Sequence, residues 1–139
     1  MEGQLQQTAG GGFRLLQRAL QANALFSGLS GLTLLAAASP VAQLMGLPGA
    51  TFILRVIGLG LLLYAGFLLY AVRQAPVNAG PAWAAVVMDV LWVVGSAALL
   101  LGGLIPFSTE GRWIVAVVAD VVAVFAIVQT IGIIKLDTS

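Results

Sequence analysis

Four apolar runs, residues 19–38, 53–72, 82–104 and 113–134, follow one another with only short turn-forming breaks between them. Crossing a bilayer takes roughly 20 apolar residues of helix at about 1.5 Å rise per residue, so each run is long enough. Hydrocarbon offers a backbone no water to bond with, and continuous apolar runs of this length satisfy their own N–H and C=O groups as helices. The chain therefore reads as an all-α polytopic membrane protein, an antiparallel bundle of four transmembrane helices. Composition agrees, because 60% hydrophobic and 8% charged residues leave too little polar surface to cover a soluble chain of 139 residues.

The spans fill residues 13–139 as one transmembrane domain. Residues 1–12, rich in Gln and Gly, read as a mobile polar tail too hydrophilic to pack. Arg14 and Arg18, an apolar run and Ala36-Ala37-Ala38-Ser39 have the layout of a cleavable signal peptide, but the run has the length of a span and is expected to stay as a helix. The first connection carries Pro40, Gly46, Pro48 and Gly49; the second runs from Gln74 to Pro81; the third holds Pro106 and Glu110. Short connections make consecutive helices antiparallel neighbours.

With four spans both termini share a side, which carries Arg14, Arg18, Arg73 and Lys135 against Arg55 and Arg112 opposite. The positive-inside rule places that first side in the cytoplasm. Trp83 and Tyr70 then anchor the cytoplasmic level, and Trp113 and Phe107 the outer one.

Chemistry is sparse inside the spans. Arg55, Asp89 and Asp120 are their only charged residues. Ionisable groups in hydrocarbon are expensive, and by default they face protein, pair with one another and mark a contact or a polar path. Shifting the first hairpin onto the second aligns Asn23-Ala24-Leu25-Phe26 with Asp89-Val90-Leu91-Trp92, Ser30 with Ser96 and Pro40 with Pro106. One deletion in the loop then places Gly46 on Gly111 and Arg55 on Asp120, the pattern of two tandem helical hairpins. Two polar layers are expected: an interior ion pair of Arg55 with Asp120 in the outer half, and a hydrogen-bonded pair of Asn23 with Asp89 roughly 6 to 10 Å inside the cytoplasmic boundary.

Helical spacing sets Asp120 with Ala116 and Ala123, Asp89 with Ala85, Trp92 and Ser96, Arg55 with Gly58, and Asn23 with Ser27 and Ser30. Small residues let helices approach closely in lipid, so these faces are expected to point inward. Tyr64 and Gln129 fall on the opposite sides of their helices from Arg55 and Asp120, and are expected to meet a second protomer or a bound lipid. Ser96 is a further secondary polar contact.

The order Asn23-x-Leu25-Phe26-Ser27, a proline-bounded loop, Leu54-Arg55-Val56-Ile57-Gly58-Leu59-Gly60 and Asp89-Val90-Leu91-Trp92 resembles small bacterial four-helix membrane proteins of the DoxX-like kind. The resemblance runs over most of the chain. It implies a four-helix bundle in a bacterial inner membrane and carries over no catalytic residue.

Absent residue types narrow the function. Without His or Cys the usual ligands of haem, zinc and iron–sulfur clusters are missing, as is any nucleophile–His pairing, so no cofactor, metal site or enzyme activity is expected. The formal net charge of +1 makes no electrostatic case for nucleic acid. The expected function is nonenzymatic: an assembly or accessory subunit, or a homo-oligomeric scaffold, whose partners are the bilayer and other copies or other membrane subunits. Two alternatives stand beside it. One is a small proton or cation transporter or channel using Asp89 and Asp120; the other is a binder of lipid or a hydrophobic small molecule, which would show an apolar groove near Trp92 or Tyr64.

Overall fold

The computed structural model describes residues 2–75 and 77–137. Among them the chain forms α1 (Glu2–Ala36), α2 (Ala38–Leu44), a short 3₁₀ turn (Pro48–Ala50), α3 (Thr51–Gln74), α4 (Gly80–Gly102) and α5 (Thr109–Asp137), with no strand. The stretches 11–36, 48–74, 80–102 and 109–136 are the four that are long and apolar enough to span a membrane. The bundle read from the four apolar runs is thus the fold observed.

The first span begins earlier than hydropathy places it. Leu16 and Leu20 are fully buried while Arg14 and Arg18, alternating with them, are exposed, so the amphipathic spacing, rather than uniform apolarity, extends the packed face toward the N-terminus. The opening residues also differ from expectation. Residues 2–12 continue α1 as helix, and Gly12 is buried against α5, where an added Cβ would lie 2.8 Å from the Lys135 Cβ. A glycine is what admits that approach.

Order around the bundle is α1, α3, α4, α5. Helix α1 packs along both α3 and α5, α4 packs along α5, and α3 meets α4 only over a short stretch. Gly31 and Gly58 make the α1–α3 crossing possible: a Cβ on either would sit 2.6 Å or 2.8 Å from the other's carbonyl oxygen. Lipid supplies no hydrophobic drive between helices, so such close backbone packing is a main source of association. Gly132 does the same for α5 against Leu16 of α1.

The end of the bundle that holds the termini is closed by Leu16, Leu20, Leu68, Ala71, Ala82, Ala85, Val86 and Ile133. A smaller cluster of Ala38, Ala42 and Leu54 closes the opposite end. That opposite end is built by the first connection, which is largely helical. Pro40 is the third residue of α2, where its missing N–H would have had no intrahelical partner. Gly46, at φ 76°, ends α2 in a Schellman motif with Leu47 N–H on Ala42 O at 2.8 Å and Gly46 N–H on Gln43 O at 3.0 Å.

Ser108 stitches this connection to the third one. Its hydroxyl donates to Leu44 O at 2.6 Å and accepts from Gly111 N–H at 3.0 Å, while its N–H donates to Met45 O at 2.9 Å. It therefore serves a terminal carbonyl of α2 and an orphan N–H of α5 together. Gly103, at φ 66°, terminates α4, and Arg112 reaches back to Leu100 O.

Close packing at the α1–α3 crossing makes a direct prediction. Gly58→Leu should lower thermal stability in detergent by about 1–3 kcal/mol, as overpacking does. Gly60→Ala, two residues along but with nothing within 4 Å, should leave stability unchanged or raised.

Candidate functional site

Each of the four spanning helices places one polar side chain at a common level. The buried stripe of α4 runs Ala82, Ala85, Val86, Asp89, Ser96, and that of α5 runs Val122, Ala126, Gln129, Ile133, both at helical spacing. On α1 the stripe of Leu16, Ala19, Leu20, Asn23, Ala24 and Ser27 delivers Asn23. On α3, Tyr64 stands at the edge of the packed face and points across the short contact toward α4. The alanines at 82 and 85 keep α4 thin enough for this approach.

Asp89 is the acceptor at the centre. Its Oδ2 accepts from Asn23 Nδ2 at 2.8 Å and from Gln129 Nε2 at 3.0 Å, and its Oδ1 accepts from the Tyr64 hydroxyl at 2.7 Å. Asn23 Nδ2 also donates to Gln129 Oε1 at 3.0 Å, and Ser27 donates to Asn23 Oδ1 at 3.1 Å. Asn23, Asp89 and Gln129 are 1%, 2% and 0% exposed, and Tyr64 is half-buried at the edge of the network. Among the described residues no buried side-chain nitrogen or oxygen lacks a hydrogen-bond partner.

Three neutral donors converge on two carboxylate oxygens, the pattern an ionised carboxylate satisfies because it only accepts. A second arrangement is available at the same atoms. The Tyr64 oxygen is also 3.1 Å from Ala85 O, so rotation of its hydroxyl toward that carbonyl lets a protonated Asp89 donate from Oδ1 to the Tyr64 oxygen. Both protonation states of Asp89 are therefore satisfied without moving a helix.

A cleft lined by side chains of all four spanning helices lies beside this network, on the side away from the termini. Its volume is about 70 Å³, and its walls include Phe26, Ser30, Leu61, Tyr64, Met88 and Trp92. Trp92 is 37% exposed, standing at the mouth rather than in the core. This is enough room for a few waters or one compact polar group, since a single water needs about 10–15 Å³.

The structure joins Asn23 to Asp89 and separates Arg55 from Asp120. Arg55 shares the outward face of α3 with Phe52, Val56 and Leu59, while Asp120 lies in the outward stripe of Trp113, Val117, Val124, Ile127 and Ile131. Both charged residues are exposed, on helices at opposite corners of the bundle, so the expected interior ion pair does not form. The reason is register: Leu54 and Gly58 face α1, and Val122, Ala126 and Gln129 face inward on α5, which turns Arg55 and Asp120 away. For the same reason Tyr64 and Gln129, expected to meet a second protomer or lipid, complete the interior network instead. Ser96 is buried two turns beyond Asp89, outside the network.

Asp89 and Asp120 consequently do not line a common path within one bundle. Gln129 had a readable signal: the alignment that sets Arg55 on Asp120 also sets Tyr64 on Gln129, just as it sets Asn23 on Asp89. In that alignment the four network residues fall into two pairs, Asn23 with Asp89 and Tyr64 with Gln129. Comparison of the chain with protein-family models, with curated proteins and with solved structures finds no match.

Mutual dependence of the network residues is testable. Asn23→Leu and Gln129→Leu should each cost about 1–3 kcal/mol, because each leaves buried partners unsatisfied. Their combination should fall short of the sum by about 0.5–3 kcal/mol, read as a double-mutant cycle of thermal unfolding in detergent. Arg55→Leu and Asp120→Ala should be near neutral for the isolated bundle and additive with each other.

Proposed function

We propose that this protein is a nonenzymatic, self-associating membrane scaffold, in which Arg55 of one copy pairs with Asp120 of the next. The observation that carries this reading is the placement of two opposite charges on outward faces within spanning helices. A charged side chain at the bilayer centre costs about 2.5–3.5 kcal/mol on insertion scales, and such residues almost always face protein or water. Asp120 lies roughly 16 Å along α5 from Thr109, too deep and too short to reach the interface. Arg55 is a partner of matching sign, and the hairpin alignment puts it at the same depth.

Ala116, Ala119 and Ala123 flank Asp120 and let a neighbouring helix come close. Because the two charges stand at opposite corners, a twofold dimer cannot satisfy both; pairing runs head to tail and ends in a closed ring or a row. In this reading the protein sits in a bacterial inner membrane with both termini cytoplasmic, supported by the bias of Arg14, Arg18, Arg73 and Lys135 toward that side. It acts there as an assembly subunit.

Charge reversal tests it. Arg55→Asp and Asp120→Arg should each reduce the assembled form to monomers in mild detergent, measured by light scattering after size exclusion. The double reversal within one chain should restore assembly. Single reversals that assemble like the unaltered protein would defeat the proposal, and a double reversal that stays monomeric would point to a different partner for the two charges.

A further inference from the structure

The interior carboxylate raises a separate question, because among the described residues no basic side chain faces it. All six basic residues are exposed, whereas Asp89 is 2% exposed with neutral amides and a phenol as its partners. From α1 and α5 it is faced by Asn23 and Gln129; among the described residues Tyr64 on α3 is the only other titratable group turned toward it. The site therefore supplies hydrogen bonds to an ionised Asp89 but, among the described residues, no counter-charge.

Beside this acceptor lies a cleft whose walls are of a second kind. Phe26, Tyr64 and Trp92 contribute aromatic surface, Leu61 and Met88 aliphatic surface, and Ser27 and Ser30 hydroxyls. Side chains of all four helices line it, and its exposed lining residues, Met88 and Trp92, stand within the span of α4 and so face hydrocarbon. A ligand entering there arrives from the membrane with its polar end first.

We propose that this cleft binds the head of a primary alkylammonium amphiphile, with Asp89 as its counter-ion. The three donors of a primary ammonium match the acceptors available: Asp89 Oδ1, the Asn23 side-chain oxygen and the Ser30 hydroxyl. Rotation of the Tyr64 hydroxyl from Asp89 Oδ1 to Ala85 O frees the carboxylate oxygen for it. Trp92 at the mouth adds a cation–π face, and desolvation by the apolar walls strengthens both interactions. At about 70 Å³ the cleft holds the ammonium and its first carbons, and the alkyl chain runs out past Met88 and Trp92 into the lipid. A proton on Asp89 and the ligand cation compete for one charge, so binding weakens as pH falls.

The test uses radiolabelled n-octylammonium and uncharged 1-octanol, each titrated into the full chain in nanodiscs of zwitterionic lipid. The proposal expects saturable octylammonium binding that declines on acidification, at least tenfold weaker binding by Asp89→Asn, and no saturable octanol binding. Ser30→Phe, which fills the cleft but leaves the hydrogen-bonded network in place, should lose binding while keeping the melting temperature; it serves where Asp89→Asn fails to fold. Absence of saturable octylammonium binding to the unaltered protein would overturn the proposal. So would equal binding of octanol, which would make the cleft a groove for neutral amphiphiles, or retention of binding by Ser30→Phe.

Discussion

One acceptor group organises this bundle. Water-soluble helices come together because apolar faces leave water, but in lipid that drive is absent and association falls to packing and to interhelical hydrogen bonds. Asp89 receives donors from α1, α3 and α5 while itself standing on α4, so one side chain ties all four spans at one level. Asn23 and Gln129 bond each other as well as the carboxylate, which closes the arrangement into a triangle. Because the group is buried and every donor is neutral, displacing any helix leaves buried polar atoms unsatisfied.

Around that level the backbone does the rest. The Gly31–Gly58 and Leu16–Gly132 approaches press α1 against both neighbours, and they make α1 the best-packed helix of the four. The α3–α4 side lacks an equivalent approach. Gly60, Gly66 and Gly95 meet nothing within 4 Å, and α3 and α4 touch only over a short stretch. The same looseness gives the Tyr64 hydroxyl its choice between Asp89 and Ala85 O.

The number of spans was legible because apolar length is a direct physical requirement of the bilayer. The Asn23–Asp89 contact was legible too, through similar depth and the hairpin alignment. Charge was a poor guide to the interior. Arg55 and Asp120 carry the strongest electrostatic signal in the chain, yet helical register turns them outward while neutral Gln129 and Tyr64 turn in. Small residues beside Asp120 were read as an inward face, although alanine spacing alone does not distinguish a contact within a bundle from one between bundles. The helical start of α1 and the short α2 were missed for a different reason: polarity and Pro40 were read as breaks, whereas hydrogen-bond geometry tolerates both at a helix start.

The most direct test of the organising role of Asp89 compares two replacements of nearly the same size by thermal unfolding in detergent. Asn keeps one acceptor oxygen at the centre, and Leu keeps none. The account predicts that Asp89→Leu loses clearly more stability than Asp89→Asn, with both below the unaltered chain, because Leu strands the donors of Asn23 and Gln129 in hydrocarbon. An Asp89→Leu protein as stable as the unaltered chain, or more stable, would contradict it.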